Sequence, residues 1–283
     1  MIDFCYNQAM PADLHLHTLL SDGTDSPEKI VEMAKAAGLT TISITDHDLV
    51  DGIYPATTRG SELGVEVVPG IEFTTENQNA ELHILGYYFD YTDKNFQASI
   101  LRMQEDRVQR IKKMTDKLQG LNIRIEPEEV LRIANNKVPG RPHVARALLE
   151  KGIVTSIKEA FNRFLADKGP AYVPHYKLAP KEAIALIRGA GGIAVIAHPG
   201  TCGCDEMIPD LIAAGLRGLE VYYSGHRPEQ TERFSALADK YGLLKTGGSD
   251  YHGGNSGREI KLGDIALADD LMDKIRNEHL RRD

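Results

Sequence analysis

The strand-like apolar runs of this chain end, one after another, in histidine or carboxylate. Asp13-Leu14-His15-Leu16-His17 opens the series, and Ser21-Asp22-Gly23 follows four residues on. Thr41–Thr45 stops in Asp46-His47-Asp48, and Val65–Val68 leads to Gly70-Ile71-Glu72. Leu82-His83-Ile84-Leu85 continues into the aromatic run Tyr87-Tyr88-Phe89. Gly192–Ala197 ends in His198-Pro199-Gly200, and Leu243–Thr246 in Gly247-Gly248-Ser249-Asp250-Tyr251-His252. Side chains alternate along a strand, so His15 and His17 point the same way. A parallel β/α barrel gathers the carboxyl ends of its strands on one face, where active sites are built. Seven of the ten histidines lie at or beside a predicted strand, a choice of place that scattered surface histidines have no reason to make. With interspersed carboxylates, such a set reads as a polynuclear metal site.

Between the strands the pattern is helical. Ser26-Pro27-Glu28 reads as N-cap, N1 proline and first-turn acid of a helix carrying Ile30, Val31, Met33, Ala34 and Ala37 up to Gly38. A second helical stretch falls near 51–63. From about 94 to 170 the rhythm breaks into helix without strand, an inserted subdomain between the barrel segments 1–93 and 171–283. There Leu101, Val108, Ile111 and Leu118 share a helical face, and Pro127, Arg141-Pro142-His143-Val144 and Ser156 begin further helices. The β/α rhythm resumes with a helix over Pro180–Arg188, a strand over Leu216–Tyr222, a helix through Phe234, Leu237 and Tyr241, and a last amphipathic segment from Leu267 to Leu280.

Composition narrows the function classes. The 283 residues, 42% hydrophobic and 26% charged, suit a globular protein with a sizeable core. No apolar run approaches membrane-spanning length, and the start MIDFCYNQAMPADLH lacks a signal-peptide pattern, so the expectation is cytoplasmic. Three cysteines are too few for a disulfide framework, and Cys202-Gly203-Cys204, tighter than a metal knuckle, reads as free thiols. A net charge of −8 argues against a stable DNA partner, although bound cations can reverse the field locally and admit an anionic substrate. Arg107, Arg110, Lys112 and Lys113 alternate with acids, as on a solvated helix face.

The motifs DLHLHTLLSDG, ITDHD, PGIE, ELHILGY, IAHPG and GSDYHG, in that order, resemble the polymerase-and-histidinol-phosphatase (PHP) family of metal-dependent phosphoesterases. GRPHVARALLEKG and KGPAYVP resemble the subgroup containing nucleotide-bisphosphate phosphatases and a 5′-to-3′ exoribonuclease. The resemblance implies an α/β fold, a distorted (β/α)7 barrel, holding two or three divalent ions. Carried over by position, His15, His17, Glu72 and Asp250 would hold one metal. Glu72 would bridge to a second on His83 and His198, and Asp22, His47 and His252 would hold a third. Some branches of the family have histidine where this chain has Asp22, which makes that third set richer in oxygen. Imidazole with carboxylate suits manganese, iron or zinc.

The implied chemistry is hydrolysis of a phosphate ester by a hydroxide bridging two metals, without a serine or cysteine nucleophile. Arg141 and His143 are candidates for binding substrate phosphate, as a guanidinium fork at a helix start suits that anion. Lys168 is a candidate for a second phosphate, and His226 for phosphate contact or protonation of the leaving group. Asp13, Asp46 and Asp48 are expected to orient ligands or loops rather than bind metal. His175 and His279 are expected on the surface. The leading substrate is a small 3′,5′-nucleotide bisphosphate or similar phosphorylated metabolite. Alternatives are a cyclic or sugar phosphate, a short 5′-phosphorylated RNA, and then histidinol phosphate. Two other classes compete: a degenerate, non-catalytic domain, which would have lost ligands, and an amidohydrolase, in many of which a carboxylated lysine bridges the metals where this chain would use Glu72.

Overall fold

The computed structural model describes residues 11–77, 80–134, 138–174, 177–254 and 259–281; Cys5 and His175 lie outside them. Seven strands form one sheet in sequence order: β1 (Ala12–Leu16), β2 (Thr41–Ile44), β3 (Glu66–Asn77), β4 (Ala80–Tyr87), β5 (Ile193–Ile196), β6 (Gly218–Tyr223) and β7 (Leu244–Gly248). The sheet curls back on itself. Asp250 N–H donates to His15 O at 2.9 Å, and His17 N–H donates to Tyr251 O at 2.9 Å. A Cβ at Gly248 would run into the backbone of His15, so the two edges can approach only with glycine there.

Helices α1 (Pro27–Ala36) and α2 (Ile53–Leu63) join the first three strands. Ser26 caps α1 by accepting from Lys29 N, and Ile30, Val31 and Ala34 form its buried face. Gly38 then turns the chain at φ 80°, a conformation that favours glycine. No helix separates β3 from β4. β4 runs antiparallel to both β3 and β5, with Thr74 opposite His83 and Leu85 opposite Val195. The sheet is the expected distorted seven-stranded barrel, and β4 is where it departs from parallel strands. That reversal is the distortion in the seven-stranded barrel, and it leaves the site-bearing stretch of β4 inside the strand rather than at its carboxyl end.

The chain up to Phe96 and from Leu178 onward forms one compact unit, and Gln97–Lys177 forms another. In the second, the 27-residue α3 (Lys94–Gly120) supplies Ile111, Met114 and Leu118 to a core shared with α4 (Pro127–Ile133), α5 (Arg141–Glu150) and α6 (Ile157–Ala160). Two expectations fail on α3. Leu101 is 56% exposed, while Arg110, read as solvated, is 9% exposed and donates from Nε to Val173 O at 2.8 Å. The barrel unit continues with α7 (Pro180–Gly189), α8 (Ile208–Ala214), α9 (Pro228–Tyr241) and α10 (Asp269–Leu280). Cys202 and Cys204, read as free thiols, are joined in a disulfide between β5 and α8. No described helix is long and apolar enough to cross a membrane.

Leu14 alternates with the two histidines of β1 and is fully buried against Val68, Leu85, Val195 and Leu267. Replacing it with alanine removes apolar contact and leaves a cavity. Leu14→Ala is expected to cost about 2–5 kcal/mol in urea-unfolding measurements. A loss within experimental error contradicts the placement of this residue.

A candidate metal centre

β1 presents His15 and His17 side by side, both fully buried. Their Nε2 atoms lie 3.1 Å apart. Glu72 Oε2 is 3.3 Å from His15 Nε2 and 3.1 Å from His17 Nε2. Asp250 Oδ1 is 3.4 and 3.3 Å from the same two nitrogens. Four donors placed roughly 2.0–2.2 Å from one tetrahedral ion stand about 3.3–3.6 Å apart. His15, His17 and Asp250 thus fit a divalent cation, with Glu72 Oε2 within 3.3 Å of both imidazoles.

The other oxygen of Glu72 faces a second group. Oε1 is 2.7 Å from His83 Nδ1 and 3.0 Å from His198 Nε2. His83 joins the site because β4 is reversed: it lies opposite Thr74, two residues past Glu72 on β3. The third group is more open. Asp22 Oδ2 stands 3.3 Å from His252 Nε2 and 3.8 Å from His47 Nε2, with the Asp22 side chain 46% exposed. All nine residues expected as ligands thus converge, in overlapping sets. His17 Nδ1 is buried without a hydrogen bond, 3.5 Å from Asp22 Oδ1, and His47 Nδ1 is 3.3 Å from Glu72 Oε2.

The backbone is bent to deliver these groups. His198 sits at φ 27° and Asp250 at φ 57°, a region costly for residues with a Cβ and commonest where a site demands it. Asp13 accepts from Ser249 N at 2.9 Å and Gly263 N at 3.0 Å, fastening the loop that carries Asp250. Burial raises its carboxyl to about 6 despite those bonds. Asp46 accepts from Thr18 N and Thr18 Oγ1, both at 2.7 Å, and from Ser21 Oγ at 2.5 Å, holding the turn before Asp22. Asp48 accepts from Thr74 N at 3.1 Å. Asp13 and Asp46 hold loops, and Asp48 bonds the backbone of β3. The carboxylate that grips an imidazole from behind is a different one, Glu220, which the strand-end pattern passes over. It is fully buried and lies 2.8 Å from His15 Nδ1. Its only mark in the sequence is a lone acid inside the apolar run Gly218–Tyr223.

The remaining candidates differ. His226 does not match its expected role. Its Nδ1 lies 3.0 Å from Val221 O and its Nε2 accepts from Gly200 N at 3.1 Å, while burial lowers its pKa. Both nitrogens of a neutral ring are spent on the backbone, so neither carries a proton for a leaving group. His143 Nδ1 accepts from Gly140 N at 3.1 Å, capping α5. Arg141 donates from Nη1 to Asp167 at 2.7 Å and lies over the rings of Phe161 and Tyr172. Burial and the nearby charges of Arg141 and Arg107 lower Arg110 to about 10. Lys168 is exposed at φ 66°.

The PHP domain model matches residues 13–164. The chain belongs to the PHP family. It is 31% identical over 255 residues to the 3′,5′-nucleoside bisphosphate phosphatase of Chromobacterium violaceum, covering 88% of this chain and 90% of that one. It is 32% identical over 260 residues to the 5′-3′ exoribonuclease Rnm of Escherichia coli, covering 87% and 86%. A solved structure of a proposed metal-dependent phosphoesterase from Bifidobacterium adolescentis superposes with a TM-score of 0.82 at 34% identity, covering 96% of each chain. Like its relatives, this PHP protein is a metal-dependent hydrolase of phosphate esters.

Without metal, the cluster holds protons instead. Burial opposes charge on His17, but Asp250, Glu72 and Asp22 outweigh it and raise its pKa to about 10. Glu72 and Glu81 do the same for His83, also to about 10. A histidine raised from 6.5 stabilises the fold fully below pH 6.5, and that contribution is lost as pH climbs toward about 10. His47, lowered to about 4 chiefly by burial, acts in the opposite sense and only below pH 6.5. A cation must displace the protons, so its affinity rises as they leave. In melting experiments the midpoint of the chelator-treated protein is expected to fall from pH 6.5 to about 8.5, while the stabilisation by added Mn²⁺ grows. A metal increment independent of pH contradicts this.

Proposed function

We propose that the protein releases phosphate from a small 3′,5′-nucleotide bisphosphate or a closely similar phosphorylated metabolite at a polynuclear metal centre. The observation that carries the reading is Glu72, whose two oxygens face two separate sets of imidazoles. His15, His17, Glu72 and Asp250 would hold one divalent ion; Glu72, His83 and His198 a second; Asp22, His47 and His252 a third. Ions held there would acidify a water for attack on phosphorus and offset the charge of the phosphate oxygens.

The protein's own part is placement. Glu72 stays ionised, its pKa well below the carboxylate range although burial opposes this, because His47, His83 and His15 surround it. It therefore offers negative charge on both sides. Asp46 fixes the turn leading to Asp22, whose partial exposure leaves the third group open to solvent. In the second compact unit, Arg141 and Lys168 are the candidates for recognising phosphate. Arg141 already pairs with an acid, Asp167, which an anionic ligand would displace. His143 is retained only as a cap of the helix bearing Arg141.

The substrate class rests on the likeness to the Chromobacterium violaceum phosphatase. A second reading, removal of nucleotides from short 5′-phosphorylated RNA, rests on the comparable likeness to the Escherichia coli exoribonuclease. A phosphate-release panel of 3′-phosphoadenosine 5′-phosphate, 5′-phosphorylated dinucleotides, cyclic phosphates and histidinol phosphate separates them. The bisphosphate is expected to give the highest kcat/KM, and preference for the dinucleotides would shift the assignment to the second reading. Asp250→Asn is expected to lower activity by at least the roughly 100-fold that losing a partner behind a metal ligand already costs. Full activity and metal content in Asp250→Asn would remove Asp250 from the centre.

A further inference from the structure

Glu220 lies behind the donor groups, where no substrate or ion need touch it. β6 carries it with no solvent exposure. A carboxylate so deep is costly unless its oxygens are bonded. Its two oxygens are divided between two partners. Oε1 is 2.8 Å from His15 Nδ1, and Oε2 accepts the backbone N–H of His198 at 2.6 Å. Those bonds reach donors at both oxygens of Glu72, since His15 Nε2 faces Glu72 Oε2 and His198 Nε2 faces Glu72 Oε1.

Each bond has a chemical consequence. A carboxylate against Nδ1 keeps a His15 proton on that atom, so that the Nε2 lone pair would be the one available to a cation held with Glu72 and Asp250. The bond to His198 N–H anchors a residue at φ 27°, where the chain leaves β5 and turns into Pro199–Thr201. A side chain at that torsion stays put only while its surroundings insist on it.

We propose that Glu220 is a positioning residue that couples two metal sites, fixing the tautomer of His15 with one oxygen and the backbone turn of His198 with the other. This rests on the metal-centre reading above. Asp13 and Asp46 do not share the role, because their bonds go to backbone and hydroxyl groups and not to a donor imidazole. Unlike a ligand of a single ion, and unlike the bridging Glu72, Glu220 would weaken both sites on its loss while touching neither ion.

Glu220→Gln tests this with little change of shape. An amide has one accepting oxygen and one donating NH₂. If the NH₂ faces His15, it donates to Nδ1 and moves the ring proton to Nε2. If it faces His198, it opposes an N–H and releases the turn. The experiment measures metal equivalents per chain and dissociation constants by chelator competition, beside the melting midpoint of the metal-free protein. Val221→Ala, a buried change on the same strand, is the control. Expected are a fall in affinity of about 10–100-fold for two equivalents of metal in Glu220→Gln, none in Val221→Ala, and a metal-free midpoint for Glu220→Gln that stays near wild type. In ¹⁵N-histidine spectra of the zinc-loaded wild type, His15 is expected to carry its proton on Nδ1, a readout that stands even if the variant fails to fold. Unchanged affinity in Glu220→Gln, or a His15 proton on Nε2 in the wild type, overturns the role of Glu220 while leaving the metal centre intact. A wild type that takes up no metal overturns the metal centre itself, and this inference with it.

Discussion

Glu72 carries a full negative charge in a place almost closed to water. Leaving a carboxylate there alone would cost several kcal/mol even after relaxation. The surrounding architecture offsets that cost by bringing imidazoles from β1, the turn after β2, β4 and the turn after β5 within 2.7–3.3 Å of its two oxygens. In the absence of metal His15, His17 and His83 hold protons, their pKa values raised by the surrounding carboxylates against the opposing effect of burial; with metal the imidazoles share lone pairs. Either way the charge on Glu72 requires them, and the curled sheet is what delivers them.

Delivery depends on departures from regular structure. A barrel of purely parallel strands would have taken His83 away from its partner, since alternation along β4 reaches Glu72 only when that strand runs backward beside β3. His198 and Asp250 adopt positive φ to turn their side chains toward the centre. Gly248 lets the last strand close against His15. Behind these sit buried carboxylates: Asp13 on β1 holds the loop after β7, Asp46 after β2 holds the turn before Asp22, and Glu220 on β6 bonds His15 and His198. The outer shell is as acidic as the inner one.

Much of this is legible in the sequence, for a physical reason. Groups that meet at a barrel mouth must sit at strand termini and turns, so the nine donors announce themselves as polar residues interrupting apolar runs. The helix starts at Ser26, Pro127 and Ser156 are readable because capping is local chemistry. What escapes the sequence depends on distant parts of the chain. His83 lies in the amino-terminal half of β4 and meets Glu72 because that strand runs backward, and strand direction is settled by pairing. Glu220 looks like any polar residue in an alternating strand, because its partners lie 205 and 22 residues away. Arg110 resembles its charged neighbours on α3 until the segment near Val173 packs over it. His226 stands beyond a strand end like the donor histidines, yet backbone groups of Val221 and Gly200 claim both its nitrogens.

The central claim is that Glu72 serves two cation sites with separate oxygens. A crystal structure of the manganese-loaded protein, with anomalous difference maps at the manganese edge, tests it most directly. Separate peaks are expected on either side of Glu72, one against Oε2 with His15, His17 and Asp250, the other against Oε1 with His83 and His198. A single peak, or peaks that leave Glu72 outside every coordination sphere, would contradict it.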